Sequence, residues 1–190
     1  MLNSCVRFLI WNTSSMELTP LGFVGVIGIK STASFDERGS FLRVWEEENL
    51  KNEVRLKQAS AAINPRPRTL RGLHYQENPH AETKIVQCVL GSVFDVVVDL
   101  REDSPTYGKY LSTRIGPVQE YQGIVVPKGF AHGYLTLEEN STLLYYMDNS
   151  YVPGSARGIA WDDPAFQIDW PYKPDVISAK DKNFPHVSAI

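Results

Sequence analysis

Residues 71–100 read RGLHYQENPHAETKIVQCVLGSVFDVVVDL, and this stretch decides the fold. It sets a histidine (His74), a lysine (Lys84) and two aspartates (Asp95 and Asp99) among two apolar runs that meet at Gly91-Ser92. Burying an unpaired charge costs several kcal/mol, so a chain that places charges within apolar strands is building a pocket around them. Alternation along 94–100 puts Phe94, Val96, Val98 and Leu100 on one face and Asp95, Val97 and Asp99 on the other. Read as a two-residue turn with Gly first, Gly91-Ser92 predicts a type II′ hairpin. That register sets Lys84 opposite Asp99 and Cys88 opposite Asp95, and so predicts that the two aspartates hold the ammonium of Lys84.

Outward from this stretch the chain continues in β-rich segments. GFVGVIGI and SFLRVW flank a turn at Asp36-Glu37-Arg38-Gly39. Residues 46–52 could form one helical turn, 56–63 alternate weakly, and the prolines of Asn64-Pro65-Arg66-Pro67-Arg68 make a loop. GKYLSTRIG, GIVVPKGFAHGYLTL and STLLYYMDNSY follow, each bounded by Gly, Pro or Asn. Short strands without a long amphipathic helix indicate an all-β sandwich or barrel. The proline-punctuated tail from Val152 is expected to wrap the surface, with a helical turn near Pro174–Ser178. There is neither repeat nor linker, so residues 16–190 read as one domain. Residues 1–15, which include CVRFLIWN, read as a loose N-terminal extension, with Met16 as an alternative start.

Composition narrows the function classes. A net charge of −3 supplies no basic field for nucleic acid, although a few local arginines and lysines suffice for a small anion. Two cysteines, Cys5 and Cys88, make no disulfide framework, and Cys88 inside an apolar run reads as a small hydrophobe. No run reaches the roughly 18 apolar residues of a membrane span, and a cytoplasmic location is expected.

Of the four histidines, His74 is singled out by Arg71 shortly before it and Lys84 after it. A β-helix metal site is the competing use: it takes H-x-H, a later Glu and a distant His. Here the second position is Gln76, followed by Glu82 and by His132 in Pro127-Lys128-Gly129-Phe130-Ala131-His132. An amide is a poor ligand for first-row metals, and Lys84 would repel the cation, so neither a metal nor a cofactor is expected.

The chain resembles the dTDP-4-dehydrorhamnose 3,5-epimerases, metal-free cupins, from about Gly22 to Pro185. The resemblance rests on FDERGSF (35–41), RGLHYQ (71–76), a lysine ten residues after the histidine, and GSVFDVVVDLR (91–101). It continues through SPTYG (104–108), VPKGFAHGY (126–134), Tyr145 with Tyr151, WDDP (161–164) and SAKD (178–181). It implies a double-stranded β-helix, a jelly-roll sandwich with short peripheral helices. It also implies inversion of C3, C5 or both in a nucleotide-linked 4-keto-6-deoxyhexose.

By that resemblance His74 is the base, Asp181 its carboxylate partner, Lys84 the cation for the enolate oxygen and Tyr145 the acid on the opposite face. Those residue types suit the task, since a carboxylate-paired His can accept a proton near neutral pH. The resemblance further places Arg38, Arg71 and Lys180 near the diphosphate, Phe41 and Tyr151 around the base, Gln58 in hydrogen bond with it, and His132 beside the sugar. In the family some of these residues come from the neighbouring subunit through exchanged N-terminal strands, so the resemblance also implies a homodimer. The chain departs from the family pattern on the nucleotide side, with Gln58-Ala59-Ser60-Ala61-Ala62 for Q-x-N-x-S and Arg43 where many members carry Glu. Carriers other than dTDP, inversion at a single carbon, keto-sugar isomerisation, a non-catalytic cupin and a metal-dependent cupin are the alternatives.

Overall fold

Strand formation follows the β-branched and aromatic runs, because such side chains pack well on a pleated, half-buried surface. The structure, a computed structural model, describes residues 15–46 and 54–187. In chain order its elements are β1 (Met16–Pro20), β2 (Ile27–Ser31), β3 (Ser34–Asp36), β4 (Gly39–Phe41), β5 (Gln58–Asn64), β6 (Thr69–Gln76) and β7 (Lys84–Leu90). There follow β8 (Val93–Asp99), β9 (Tyr110–Ile115), β10 (Gly123–Val126), β11 (Phe130–Thr136), β12 (Ser141–Met147), β13 (Ala156–Gly158), β14 (Val176–Ile177) and the short helix α1 (Ala179–Lys182).

One sheet has the order β1-β2-β10-β7-β12-β5, and the other β13-β6-β11-β8-β9 with β14 also on β6. Their facing sides share one core, to which the first sheet contributes Val86, Cys88, Ile124 and Leu143 and the second Val93, Val97, Phe130 and Tyr134. The back of the first sheet is covered around Ile29, Ile85 and Val125 by Val54, Trp45 and Leu56. The back of the second is covered around Leu73, Val96, Val98 and Ala131 by Ile159, Phe166 and Trp170 of the tail. This is a jelly-roll sandwich, as expected. No helix among the described residues is long and apolar enough to cross a membrane.

The expected hairpin at Gly91-Ser92 does not form. β7 lies between β10 and β12, whereas β8 lies between β11 and β9 in the other sheet. Gly91-Ser92 is therefore a crossing between sheets, and Lys84 faces neither Asp99 nor Asp95 across a ladder. Gly91 has φ +71°, and a Cβ there would lie 2.5 Å from Ser141 Oγ, so the crossing requires glycine. GIVVPKGFAHGYLTL likewise divides at Pro127–Gly129 into β10 and β11, one strand for each sheet.

Asp36 pairs with Gly39 across the β3–β4 turn as read from the sequence. The helical turn expected near Pro174–Ser178 comes later, at α1, because Val176 and Ile177 stay extended against Thr69 and Leu70. Ser178 then caps the helix, its side chain accepting from Asp181 N. Apart from Glu46 and Ser15, the turn expected over 46–52 and the extension at 1–15 lie outside the described residues.

Candidate active site

The motif Arg71-Gly72-Leu73-His74 acquires its shape from a bulge. His132 of β11 pairs with His74 and Tyr134 with Arg71, so two steps along β11 match three along β6. Strict alternation would put Arg71 and His74 on opposite faces. The extra residue instead lets both line an inner cavity of about 210 Å³ with Ala62, Lys84, His132 and Tyr145. Gly72 has φ +133°, and a Cβ on it would lie 2.6 Å from Gly133 Cα, so the bulge depends on glycine at 72.

β14 runs parallel to β6 and delivers α1 to the bulge. There Asp181, only 5% exposed, places Oδ1 2.9 Å from His74 Nε2 and accepts Gly72 N–H at Oδ2 over 3.2 Å. Burial pushes the Asp181 carboxyl up, but hydrogen bonding and attraction from His74, with the Gly72 amide, outweigh it and the net shift is downward. An ionised Asp181 holds the His74 proton on Nε2 and leaves Nδ1 as the basic nitrogen. The edge of Phe184 steadies the ring, with centroids 5.5 Å apart.

Lys84 opens β7 and is nearly buried. Its Nζ donates to His74 O at 3.1 Å and lies 3.2 Å from Glu82 Oε1. Burial drives the ammonium pKa down, and Glu82 restores only part of the loss. The expectation that Asp99 and Asp95 hold Lys84 is overturned. Asp99 is taken by Arg101 at 2.7 and 2.8 Å, by Ser104 at 2.5 Å and by Thr106 at 2.6 Å. Burial raises the Asp99 pKa, but these donors prevail and hold it well below the usual carboxylate range. Asp95 pairs with His132 Nε2 at 2.8 Å, and its other oxygen is buried with no hydrogen-bond partner among the described residues. Burial raises the Asp95 pKa.

Tyr145 comes from β12 in the first sheet, opposite His74 of the second. Burial pushes its pKa well above that of ordinary tyrosine, and the neighbouring Tyr134 adds to the shift. Its ring meets His132 edge-on at 6.0 Å. A second cavity, of about 310 Å³, shares His74, Lys84 and Tyr145 with the first and opens outward past Gln58, Tyr151 and Lys180.

Gln58 Oε1 accepts Tyr151 N at 3.0 Å. Arg71 and His132 line the inner chamber, and Asn64 Oδ1 accepts from Arg71 Nε at 2.9 Å. Arg38 and Phe41 line neither chamber. They ride the exposed β3–β4 hairpin, where Arg38 is paired with Asp36.

Sequence reasoning missed three groups. In the sequence Glu82 reads only as a metal ligand, and Asn64 only as the start of a loop. Gln76 holds Glu82, accepts Val152 N at 2.7 Å and faces His80 O and Ser150 O. The spacing Glu82-Thr83-Lys84 was the available signal for the first. Among the described residues no group of three or more His, Cys, Asp or Glu side chains could hold a metal ion.

A jelly roll whose inner chamber combines a His–Asp pair, a buried lysine and an opposing tyrosine has the parts of a cupin isomerase that works by moving protons. Comparison with known proteins narrows the class. The family model for dTDP-4-dehydrorhamnose 3,5-epimerase matches residues 20–189. The chain is similar to the dTDP-4-dehydrorhamnose 3,5-epimerase of Shigella flexneri, 38% identical over 78% of this chain and 83% of that protein. It is similar also to the dTDP-4-dehydrorhamnose 3-epimerase of Streptomyces niveus, 36% identical over 88% and 82%. A solved dTDP-4-dehydrorhamnose 3,5-epimerase from Bacillus anthracis with TDP and PPi bound superposes with a TM-score of 0.85 at 31% identity, covering 91% of this chain and 100% of that one. The chain belongs to the dTDP-4-dehydrorhamnose 3,5-epimerase family.

Proposed function

We propose that the protein is a cytoplasmic epimerase that inverts C3, C5 or both in a dTDP-linked 4-keto-6-deoxyhexose. The observation that carries this reading is that His74 and Tyr145 reach one chamber from opposite sheets, with Lys84 on the same chamber wall. The names of the relatives, and the TDP in the Bacillus structure, support the substrate class.

His74 takes the proton from the carbon beside the ketone. The C–H electron pair becomes the enolate double bond, and the ketone oxygen takes the negative charge. Lys84 donates to that oxygen, in a site dry enough to make the interaction strong. Tyr145, kept protonated by burial, gives its hydroxyl proton to the opposite face of the carbon. The imidazolium and the phenolate are then reset by exchange with water.

Around this centre His132 holds the sugar end, and Gln58, Tyr151 and Lys180 take the nucleotide end; Arg71, expected at the diphosphate with Lys180, lines the inner chamber instead and is assigned to the sugar end. Arg38 and Phe41 act in a homodimer, reaching the outer chamber of the neighbouring subunit. The exposure of Phe35 (80%) and Phe41 (69%) on that hairpin supports the assignment.

The test is turnover of dTDP-4-keto-6-deoxyglucose in deuterated water followed by NMR. Deuterium at C3 and C5 is expected. Exchange at C3 alone selects the single-centre activity in the name of the Streptomyces relative, and exchange at neither carbon overturns the proposal.

A further inference from the structure

A buried lysine that must be charged to act needs something to keep it charged. Removal from water lowers the Lys84 pKa, so without a counter-ion the ammonium loses its proton at a lower pH. The groups that face it differ in what they offer. β6 presents Arg71 and His74, β11 presents His132, already paired to Asp95, and β12 presents Tyr145. β10 presents Val126 directly beside Lys84. Asp148 is engaged by Thr83 N at 2.8 Å and by Lys128 at 3.0 Å. Among the described residues, Glu82 is the one carboxylate within 4.0 Å of Lys84 Nζ.

Glu82 is itself fixed. Its side chain is 9% exposed, with Oε1 toward Lys84 and Oε2 taking Gln76 Nε2. The Gln76 amide is anchored on its other side by Val152 N, so it cannot turn to follow Glu82. The carboxylate therefore has one orientation, with one oxygen committed to the lysine.

We infer that Glu82, oriented by Gln76, is a positioning residue that keeps Lys84 protonated and aimed at the reacting oxygen. The inference rests on the proposed role of Lys84 and deepens it. Glu82 needs no contact with the substrate and acts only through the lysine.

The experiment is kcat against pH for the full chain and for Glu82→Gln, Glu82→Asp and Lys84→Met. A Lys84 that must be protonated gives a limb where activity falls as pH rises. Glu82→Gln is expected to move that limb to lower pH by roughly 1–3 units, the size of a close charge pair. Glu82→Asp, which keeps the charge, should hold the limb near its original position at a reduced kcat. A merely structural Glu82 would lower kcat alike at every pH and leave the limb where it was, which overturns the inference. If Glu82→Gln does not fold, Gln76→Leu carries the test: the loosened pair should move the limb the same way by less, and an unmoved limb overturns the inference. Lys84→Met separates the two levels. Full turnover in that variant sinks the oxyanion role itself. An inactive Lys84→Met with an unmoved limb in Glu82→Gln sinks only the role of Glu82.

Discussion

His74 Nε2 and Asp181 Oδ1 stand 2.9 Å apart across 107 residues of chain, and the contact is made by the tail and not by the body of the sandwich. β14 pairs with the start of β6, Ser178 caps α1, and Asp181 falls onto the bulge that carries His74. In the proposed mechanism the carboxylate has two tasks: it fixes the tautomer and it stabilises the imidazolium formed on proton abstraction. Asp181→Asn keeps the size but loses the charge. It should lower kcat by on the order of a hundredfold or more, with little change in KM, because general-base catalysis contributes about that much. Steady-state kinetics check it, and an unchanged kcat would remove Asp181 from the mechanism.

Asp99 provides a prediction about acid stability. Its folded pKa lies below its unfolded value of about 3.9, so its contribution is fully present above that value. The contribution is lost as pH falls through the folded pKa. Asp99→Asn should therefore be less stable than the parent at neutral pH, and the gap should narrow as pH drops below about 4. Urea unfolding of both proteins across this range measures it; a gap that stays constant with pH would show that the charge of Asp99 is not what stabilises.

How far the sequence revealed this arrangement depends on the range over which each interaction works. Strands such as β8 and β12 were legible because β-rich runs bounded by turn residues mark them locally. The sheet to which each strand belongs was not legible at Gly91-Ser92. β7 and β8 are both buried on both faces, so nothing along either separates a hairpin from a crossing between sheets. A ladder register pairs Lys84 with Asp99, yet their partners Glu82 and Arg101 are each two residues away, just outside the strands. His74, Lys84 and Tyr145, which stand far apart in the sequence, line one chamber. Asp181 had no local signal at all, since it lies in a tail whose path is set by the pairing of β14 with β6.

The bulge at Gly72 should be intolerant of any side chain. A Cβ there would press on Gly133 Cα and on His132 O at 3.0 Å, backbone atoms that cannot swing aside. Gly72→Ala is expected to destabilise the protein by about 1–3 kcal/mol through strained backbone. It should also depress activity, because Arg71 and His74 lose their common face. Thermal unfolding and kcat together check this. A variant with parental stability and activity would mean that the bulge does not set the geometry of the site.

Tyr145 offers the sharpest separation of the two halves of the reaction. His74 and Tyr145 approach from opposite sheets, so removing the proposed acid should leave abstraction intact while abolishing inversion. In Tyr145→Phe, His74 can take the substrate proton, exchange it with solvent and return a proton only to the face it came from. The expected result in deuterated water is deuterium beside the ketone with retained configuration, and little or no epimer. Loss of exchange together with loss of inversion would mean that Tyr145 is needed before the carbanion forms. Epimer produced at the parental rate would mean that the second proton comes from another group, and would remove Tyr145 from the role of acid.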